Sequence, residues 1–184
     1  AVESGGNQQE TITITDDDNP PVVDLLVSAS SVNENAGSAA AVITALLDHA
    51  ATVDTLVTLS PSGTADNGSD YTLDNFTISV IAGATSGTTN LNLLQDSVSE
   101  NPAETIVLDI TSVSGGDSAS ENGTQSQTIT LVDDEATPQI TLAPIPASPI
   151  AENGGTSTVT VTSSVVSSSA ITVTLASGAG ATAT

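Results

Sequence analysis

The sequence contains no lysine, arginine, cysteine, methionine or tryptophan, and it has a single histidine, His49. Its 184 residues include 22 Asp and Glu, which gives a formal net charge of −22. No basic side chain other than this histidine can pair with these carboxylates, and disulfides and thiolate metal sites are excluded with the cysteines. Nucleic acid and anionic membranes are excluded as direct electrostatic partners, because both need a positively charged surface.

Long apolar runs and aromatic residues are also missing. Tyr71 and Phe76 are the only aromatic residues, so any core must be built from Ala, Val, Ile and Leu. The apolar runs are far shorter than the ~18 residues that span a bilayer, which argues against membrane insertion. We expect any signal peptide to lie upstream of Ala1 or to have been removed, and the protein to be extracellular, either secreted or at the cell surface.

Two stretches of the sequence recur at nearly the same separation. Residues 11–18 (TITITDDD) match residues 128–135 (TITLVDDE) at a separation of 117, which is 133 − 16. Residues 32–37 (VNENAG) match residues 150–155 (IAENGG) at a separation of 118, which is 150 − 32. A period of this size is a whole domain, since solenoid repeats recur at ~20–50 residues.

This period divides the chain into three parts. We expect residues 1–21 to be the C-terminal strand of a preceding repeat, residues 22–137 to be one complete repeat, and residues 138–184 to be the N-terminal part of a following repeat.

Apolar residues alternate with polar ones in several short segments separated by Gly, Asn, Asp and Ser. The alternating sets are Ile106, Leu108 and Ile110; Phe76, Ile78 and Val80; Leu91 and Leu93; Val159 and Val161; and Ile171, Val173 and Leu175. A period of two with β-branched residues predicts half-buried strands. About seven such strands in a repeat of ~115 residues predict an all-β fold, an antiparallel immunoglobulin-like β-sandwich in tandem repeats.

The acidic residues are concentrated at the ends of these predicted strands. Consecutive acids repel one another, and only solvent, backbone N–H groups or a bound cation can compensate them in a chain without Lys or Arg. Oxygen ligands without His or Cys select Ca²⁺ over transition metals, and Mg²⁺ is disfavoured because it prefers a tight octahedron with retained waters. The pattern therefore predicts Ca²⁺ as the cofactor.

Four sequence blocks resemble those of the Calx-beta domains. They are VNENAG at 32–37, GTADNGSDY at 63–71, the acidic stretch DSVSE at 96–100 followed by Glu104, and ITLVDDE at 129–135. All four occur in the order of the family pattern, so the resemblance covers the whole of 22–137. The matching fragments extend it to 1–21 and 138–184.

The resemblance implies an antiparallel β-sandwich that binds Ca²⁺ in the loops at one end. Carried over block by block, the implied ligands in the complete repeat are Glu34, Asp70, Asp96, Glu100, Asp133, Asp134 and Glu135. The matching fragments add Asp16, Asp17, Asp18 and Glu152. Two departures, Gln95 in the acidic loop and Glu135 in the closing triad, favour one or two ions of modest affinity over a larger cluster.

Other acidic residues and the histidine have simpler interpretations. Asp24, Asp48, Asp54, Asp74, Asp109 and Asp117 match no block and are interpreted as surface residues. Tyr71 is expected to pack in the core and to anchor the loop that presents Asp70, and His49 is placed in a loop without a catalytic or metal role. No G-x-S-x-G is present, and the aromatic platforms of a glycosidase cleft are missing, so no enzyme is predicted.

The leading functional hypothesis is a secreted structural or adhesive protein, in which calcium-stabilised sandwiches form a stalk or extracellular filament. Its partners would be neighbouring repeats of the same chain, with self-association into filaments as a further possibility. One alternative is a calcium-sensing regulatory module, and another is a non-catalytic spacer of a large secreted enzyme. The short proline-containing linker at 19–21 favours an extended, calcium-rigidified rod.

Overall fold

The computed structural model describes residues 5, 9–15, 17–145, 151 and 153–176, and within them it shows fourteen strands and a single 3-10 turn at Glu34–Ala36. The strands are β1 Val22–Val27, β2 Ser31–Asn33, β3 Ala41–Leu47, β4 Thr55–Gly63, β5 Tyr71–Leu73, β6 Thr77–Val80, β7 Ser86–Leu93, β8 Val98–Ser99, β9 Glu104–Gly115, β10 Ser120–Glu121, β11 Ser126–Val132, β12 Ile140–Ile145, β13 Thr158–Ser163 and β14 Val166–Ser167. None of the described helical structure is long and apolar enough to cross a bilayer.

Strands β1–β7 and β9–β11 form two five-stranded sheets. One sheet has the order β10-β1-β3-β7-β5 and the other has the order β2-β11-β9-β4-β6. The pairs are antiparallel, except that β10 runs parallel to β1 and β2 runs parallel to β11. The predicted all-β sandwich is confirmed, and it occupies residues 22–132.

The apolar faces of the two sheets pack on each other to form the core. In β9 the side chains of Ile106, Leu108 and Ile110 are buried, as the period of two predicted. Both sheets supply large side chains with no more than 2% of their surface exposed; these include Val23, Leu25, Ile43, Tyr71 and Leu91 from the first, and Val57, Ile78, Val80, Ile106, Leu108 and Ile129 from the second. Burial of each such aliphatic side chain contributes roughly 1.5–3 kcal/mol.

One aromatic residue departs from the predicted alternation. Phe76 lies in the bend before β6 and is 42% exposed, although Ile78 and Val80 are buried. The preceding residue explains the bend, because the backbone N–H and C=O of Asn75 both hydrogen-bond to the Thr89 hydroxyl, each at 3.0 Å. This pair of hydrogen bonds to β7 turns the chain before the strand begins and leaves the ring outside the core.

The segments that flank the sandwich are less regular than the sequence predicted. Residues 9–15 form no strand, and Ile12 and Ile14 are 85% and 91% exposed. Strands β12 and β13 form an antiparallel hairpin, whereas residues 170–176 form no strand despite their alternation. A half-apolar strand needs a partner edge and an apolar face to cover it, and the described part of the chain provides neither beside these residues.

The segment at 166–169 contacts the sandwich. Strand β14 pairs in parallel with β8, with Val166 opposite Val98 and Ser167 opposite Ser99. The Ser168 amide donates a hydrogen bond of 3.2 Å to the Ser99 carbonyl oxygen. The flanking segment is therefore attached to the loop between β7 and β9.

Candidate metal centre

The acidic residues of the family blocks meet at one end of the sandwich because of strand register. β11 ends beside β2, with Val132 opposite Asn33, so Glu34 and Asp133 follow the two paired residues. β9 begins beside the same end of β11, with Glu104 opposite Leu131. Asp70 immediately precedes β5, which pairs with the last residues of β7. We call this the acidic end; its members are Glu34, Asp70, Asp96, Glu100, Glu104, Asp133, Asp134 and Glu135.

The first cluster at the acidic end consists of Glu34, Asp133 and Glu135, whose carboxylate oxygens lie within 4.8 Å of one another. Glu34 is only 4% exposed. Its Oε1 accepts a 3.0 Å hydrogen bond from the Asp96 amide, whereas its Oε2 is buried without a donor. Burial raises the pKa of Glu34, and the charges of Asp96 and Asp133 raise it further.

The second cluster consists of Asp70, Glu100 and Glu104, again with carboxylate oxygens within 4.8 Å. Burial raises the pKa of both glutamates from 4.5 to about 7. The next contribution comes from Asp70, through its charge for Glu100 and through a hydrogen bond for Glu104. The three carboxylates of this cluster repel one another when they are all ionised. Either bound protons or a bound cation would relieve that repulsion.

Asp70 is held in place by the chain around it. Its Oδ2 accepts a 2.5 Å hydrogen bond from the Asp66 amide, and its carbonyl oxygen accepts one of 2.8 Å from the Leu94 amide. Tyr71, the next residue, is 2% exposed and packs in the core, as predicted. The buried ring anchors the residue that presents the carboxylate.

The two clusters adjoin each other. The pKa of Glu100 is raised by Asp70 of its own cluster and also by Glu34 and Asp133 of the first cluster. Ser99 precedes Glu100, and its hydroxyl lies 3.5 Å from Asp133 Oδ2. The loop between β7 and β9 therefore contributes Glu100 to the second cluster and contacts the first through Ser99.

Gln95 donates hydrogen bonds to two carboxylates at the margin of this region. Its Nε2 donates to Asp134 Oδ1 at 3.0 Å and to Glu135 Oε1 at 3.1 Å. Asp134 also accepts a 2.9 Å hydrogen bond from the Asn35 side chain. These amides thus occupy carboxylate oxygens of Asp134 and Glu135 that would otherwise be open to a cation.

The predicted ligands are distributed unevenly. Five of them, Glu34, Asp70, Glu100, Asp133 and Glu135, fall within the two clusters. Asp96 and Asp134 are exposed at the margin, where Asp96 Oδ1 accepts a 2.7 Å hydrogen bond from the Val98 amide. Asp17 and Asp18 are exposed and precede β1, away from the acidic end, while Asp16 and Glu152 lie outside the described residues.

Glu104 was not among the predicted ligands, although the structure places it in the second cluster. The sequence signal was its position four residues after Glu100 in the same acidic block. Its role could be recognised only from the pairing that brings the start of β9 next to Asp70.

The donor set fits a hard divalent cation. In the described residues, one carboxylate oxygen each of Glu34, Glu104 and Glu135 is buried without a hydrogen-bond partner. Such oxygens are costly unless something compensates them, and the chain has no Lys or Arg to do so. Oxygen ligands alone are the coordination that Ca²⁺ prefers.

The acids outside the family blocks have a different environment. Hydrogen bonds lower the pKa of Asp48, Asp74 and Asp117, all of them exposed, and the first donors are the Val22 amide, the Asn92 side chain and the Thr52 amide, respectively. These carboxylates are already satisfied by N–H and O–H donors in turns. They act as turn anchors at the surface.

Comparison with known proteins agrees with this architecture. A family model described as the Calx-beta domain matches residues 16–135. No curated protein sequence matches the chain.

Three solved structures resemble the chain. The apo-form Calx CBD1 domain has 17% identity and a TM-score of 0.51, covering 62% of this chain and 99% of that one. The CBD12 structure from CALX1.2 has 18% identity and a TM-score of 0.49, covering 58% of this chain and 43% of that one. A two-domain protein with unknown function from Bacteroides fragilis has 9% identity and a TM-score of 0.43, covering 68% and 55%. The first likeness shows a shared fold, and since the family match spans well over half of the residues, this chain belongs to the Calx-beta domain family.

Proposed function

We propose that the chain is a calcium-binding β-sandwich module of a secreted structural or adhesive protein, in which bound Ca²⁺ stabilises the acidic end. The observation that carries this proposal is Glu34. A carboxylate that is 4% exposed, with one oxygen lacking any donor, lies beside Asp133 and Glu135 in a chain without Lys or Arg. A cation is the natural compensation for that arrangement.

Each cluster would hold its ion through one carboxylate that a backbone amide fixes in place and two further carboxylates. In the first, Glu34 is fixed by the Asp96 amide, and Asp133 and Glu135 come from the chain after β11. In the second, Asp70 is fixed by the Asp66 amide, and Glu100 and Glu104 come from the loop and the start of β9. Bound Ca²⁺ supplies positive charge that removes the repulsion among these carboxylates.

A structural role, rather than a catalytic one, is supported by the composition and by the flanking segments. The chain has no Lys or Arg for trypsin-type cleavage and no Cys or Met to be oxidised. The pairing of β14 with β8 attaches the following segment directly to the acidic loop. An array in which each sandwich contacts the next in this way would be stiff and extended.

Thermal unfolding of the 184-residue chain tests the calcium proposal. A ligand that binds only the native state stabilises by RT ln(1 + [L]/Kd), about 2.7 kcal/mol at 100 Kd. For a domain of this size, the expected increase in Tm is on the order of 10 °C between chelator and excess Ca²⁺. Superimposable melting curves would contradict calcium binding. They would not test the stalk, which depends on the maximum dimension of the molecule in solution.

A further inference from the structure

Three asparagines of the chain are followed directly by glycine: Asn67, Asn122 and Asn153. In such a pair the backbone nitrogen of the glycine can attack Cγ of the asparagine side chain, because glycine has no Cβ that hinders the approach. The new N–C bond closes a five-membered succinimide ring, and the side-chain nitrogen leaves as ammonia. Water then opens the ring, which gives either aspartate or isoaspartate, whose main chain runs through the former side-chain carbonyl.

The two pairs within the sandwich differ in the hydrogen bonding of the attacking amide. Asn67 and Asn122 are both exposed, and in both cases a hydroxyl residue follows the glycine. The Gly68 amide donates a 2.8 Å hydrogen bond to the Tyr71 carbonyl oxygen. The Gly123 amide has no acceptor among the described residues. Since a bonded amide must be freed before it can attack, the fold protects the first asparagine and leaves the second open to reaction.

The surroundings of Asn122 also favour the reaction. This residue lies in the bend between β10 and β11, and the backbone of Gly123 faces open space. The Nδ2 atom of Asn122 lies 2.8 Å from Asp24 Oδ1. This nitrogen takes up a proton before it leaves as ammonia, and the carboxylate is placed to stabilise the positive charge that develops there. We infer that Asn122 is a site of spontaneous deamidation and that the fold spares Asn67.

Deamidation alters the contact between this bend and β1. Asn122 is attached to β1 by its side chain, which donates to Asp24, and by its amide, which donates a 3.0 Å hydrogen bond to the Val23 carbonyl oxygen. The product has a carboxylate in place of the donor, so two carboxylates face each other in a chain without Lys or Arg. The isoaspartate form also lengthens the main chain at the point where β10 pairs with β1. The edge strand β10 is thereby loosened.

Peptide mass mapping after incubation in H₂¹⁸O tests this inference, because the water that opens the ring leaves its oxygen in the new carboxylate. The full-length chain is kept in mildly alkaline buffer with chelator, so that calcium binding near Asn67 does not influence the result. Because the Gly68 hydrogen bond must break before attack, we expect Asn122 to take up label on the order of tenfold faster than Asn67.

The unfolded chain provides the reference for these rates. In denaturant both glycine amides are free, so Asn67 and Asn122 should take up label at nearly equal rates. Asn122→Gln should take up no label at this position, because ring closure through the longer side chain is much slower. Equal labelling of Asn67 and Asn122 in the native chain, or no label at Asn122, would overturn the inference.

A variant that mimics the product tests the structural consequence. Asn122→Asp removes the donor to Asp24 and adds a like charge, so we expect Tm to fall by on the order of 5 °C. Asn153→Asp is the matched control, because it adds the same charge in an exposed turn outside the sandwich and should leave Tm unchanged. An Asn122→Asp variant that melts like the parent would overturn the inferred loosening of β10.

Discussion

The amide of Asp96 donates a 3.0 Å hydrogen bond to Oε1 of Glu34, and so the loop between β7 and β9 is fastened to a carboxylate buried beneath it. The other oxygen of Glu34 has no donor. The loop that carries Asp96 and Glu100 is thus positioned by the same residue that most needs a cation. Cation binding and loop order are therefore linked.

Replacing the buried carboxylate of Glu34 should weaken calcium binding without lowering the stability of the metal-free fold. Glu34→Gln removes the charge but keeps the shape, and burial raises the pKa of Glu34, so its ionised form destabilises the metal-free fold. We expect the variant in chelator to melt no lower than the parent, and the increase in Tm with Ca²⁺ to shrink by at least half.

Asp109→Asn is the matched control for Glu34→Gln. Asp109 lies in β9 between the buried Leu108 and Ile110, away from both clusters, and loses the same charge. Its calcium response should equal that of the parent. A Glu34→Gln variant with the full calcium response would show that this residue is not a ligand.

The pH dependence of stability should change direction with calcium. Glu100 and Glu104 have folded-state pKa values of about 7, above the usual 4.5, so without metal the native state binds more protons than the unfolded state between these values. The free energy of unfolding in chelator should therefore fall as pH rises from about 4.5 to about 7. With bound Ca²⁺ the ligands are held ionised, and stability should instead fall as the solution is acidified.

Denaturant unfolding at a series of pH values, in chelator and in excess Ca²⁺, measures both slopes. Replacing both glutamates, Glu100→Gln with Glu104→Gln, should flatten the slope in chelator between about pH 4.5 and pH 7. Parallel pH profiles with and without Ca²⁺ would contradict the account.

Replacing one carboxylate in each cluster tests whether both clusters bind Ca²⁺. Asp70→Asn together with Asp133→Asn removes a carboxylate from each group of three. We expect the double variant to lose most of the calcium-dependent stability, and each single variant to keep part of it. A double variant that responds fully to Ca²⁺ would show that the ligands are misassigned.

The shape of the molecule tests the stalk. Small-angle scattering should give a larger maximum dimension and a narrower range of conformations in Ca²⁺ than in chelator. The reason is that the acidic loop, which pairs with β14, becomes ordered when Ca²⁺ binds. Ser99 is the link, since its carbonyl accepts from Ser168 and its hydroxyl reaches Asp133. The same maximum dimension in both conditions, with a compact profile, would contradict a calcium-stiffened rod.

The sequence predicted the features that depend on local pattern. The alternation at Ile106, Leu108 and Ile110 predicted a buried strand face, and the family blocks predicted acids at one end of a sandwich. The placement of Phe76 could not be predicted, because the bend that exposes it depends on a hydrogen bond from the distant Thr89.

The finer details of the site also depend on long-range register. Glu104 joins Asp70 only because β9 begins at the acidic end, and Gln95 reaches Asp134 across 39 residues of sequence. Conversely, alternation at Ile171 and Leu175 predicted a strand that is not formed, since none of the described residues offers a partner edge beside them. The repeat organisation of 1–21, 22–137 and 138–184 remains a prediction.

Terbium luminescence can detect a cation bound at the acidic end of the sandwich. Tyr71 is the only tyrosine, the chain has no tryptophan, and this ring follows the proposed ligand Asp70 in sequence. Tb³⁺ is a hard, oxygen-seeking substitute for Ca²⁺, and excitation of Tyr71 should sensitise its emission when it occupies the second cluster. We expect strong emission that Ca²⁺ displaces and that Asp70→Asn with Glu104→Gln abolishes, while Asp109→Asn leaves it unchanged. Emission that is absent, or that neither Ca²⁺ nor the double variant reduces, would contradict calcium binding at the acidic end.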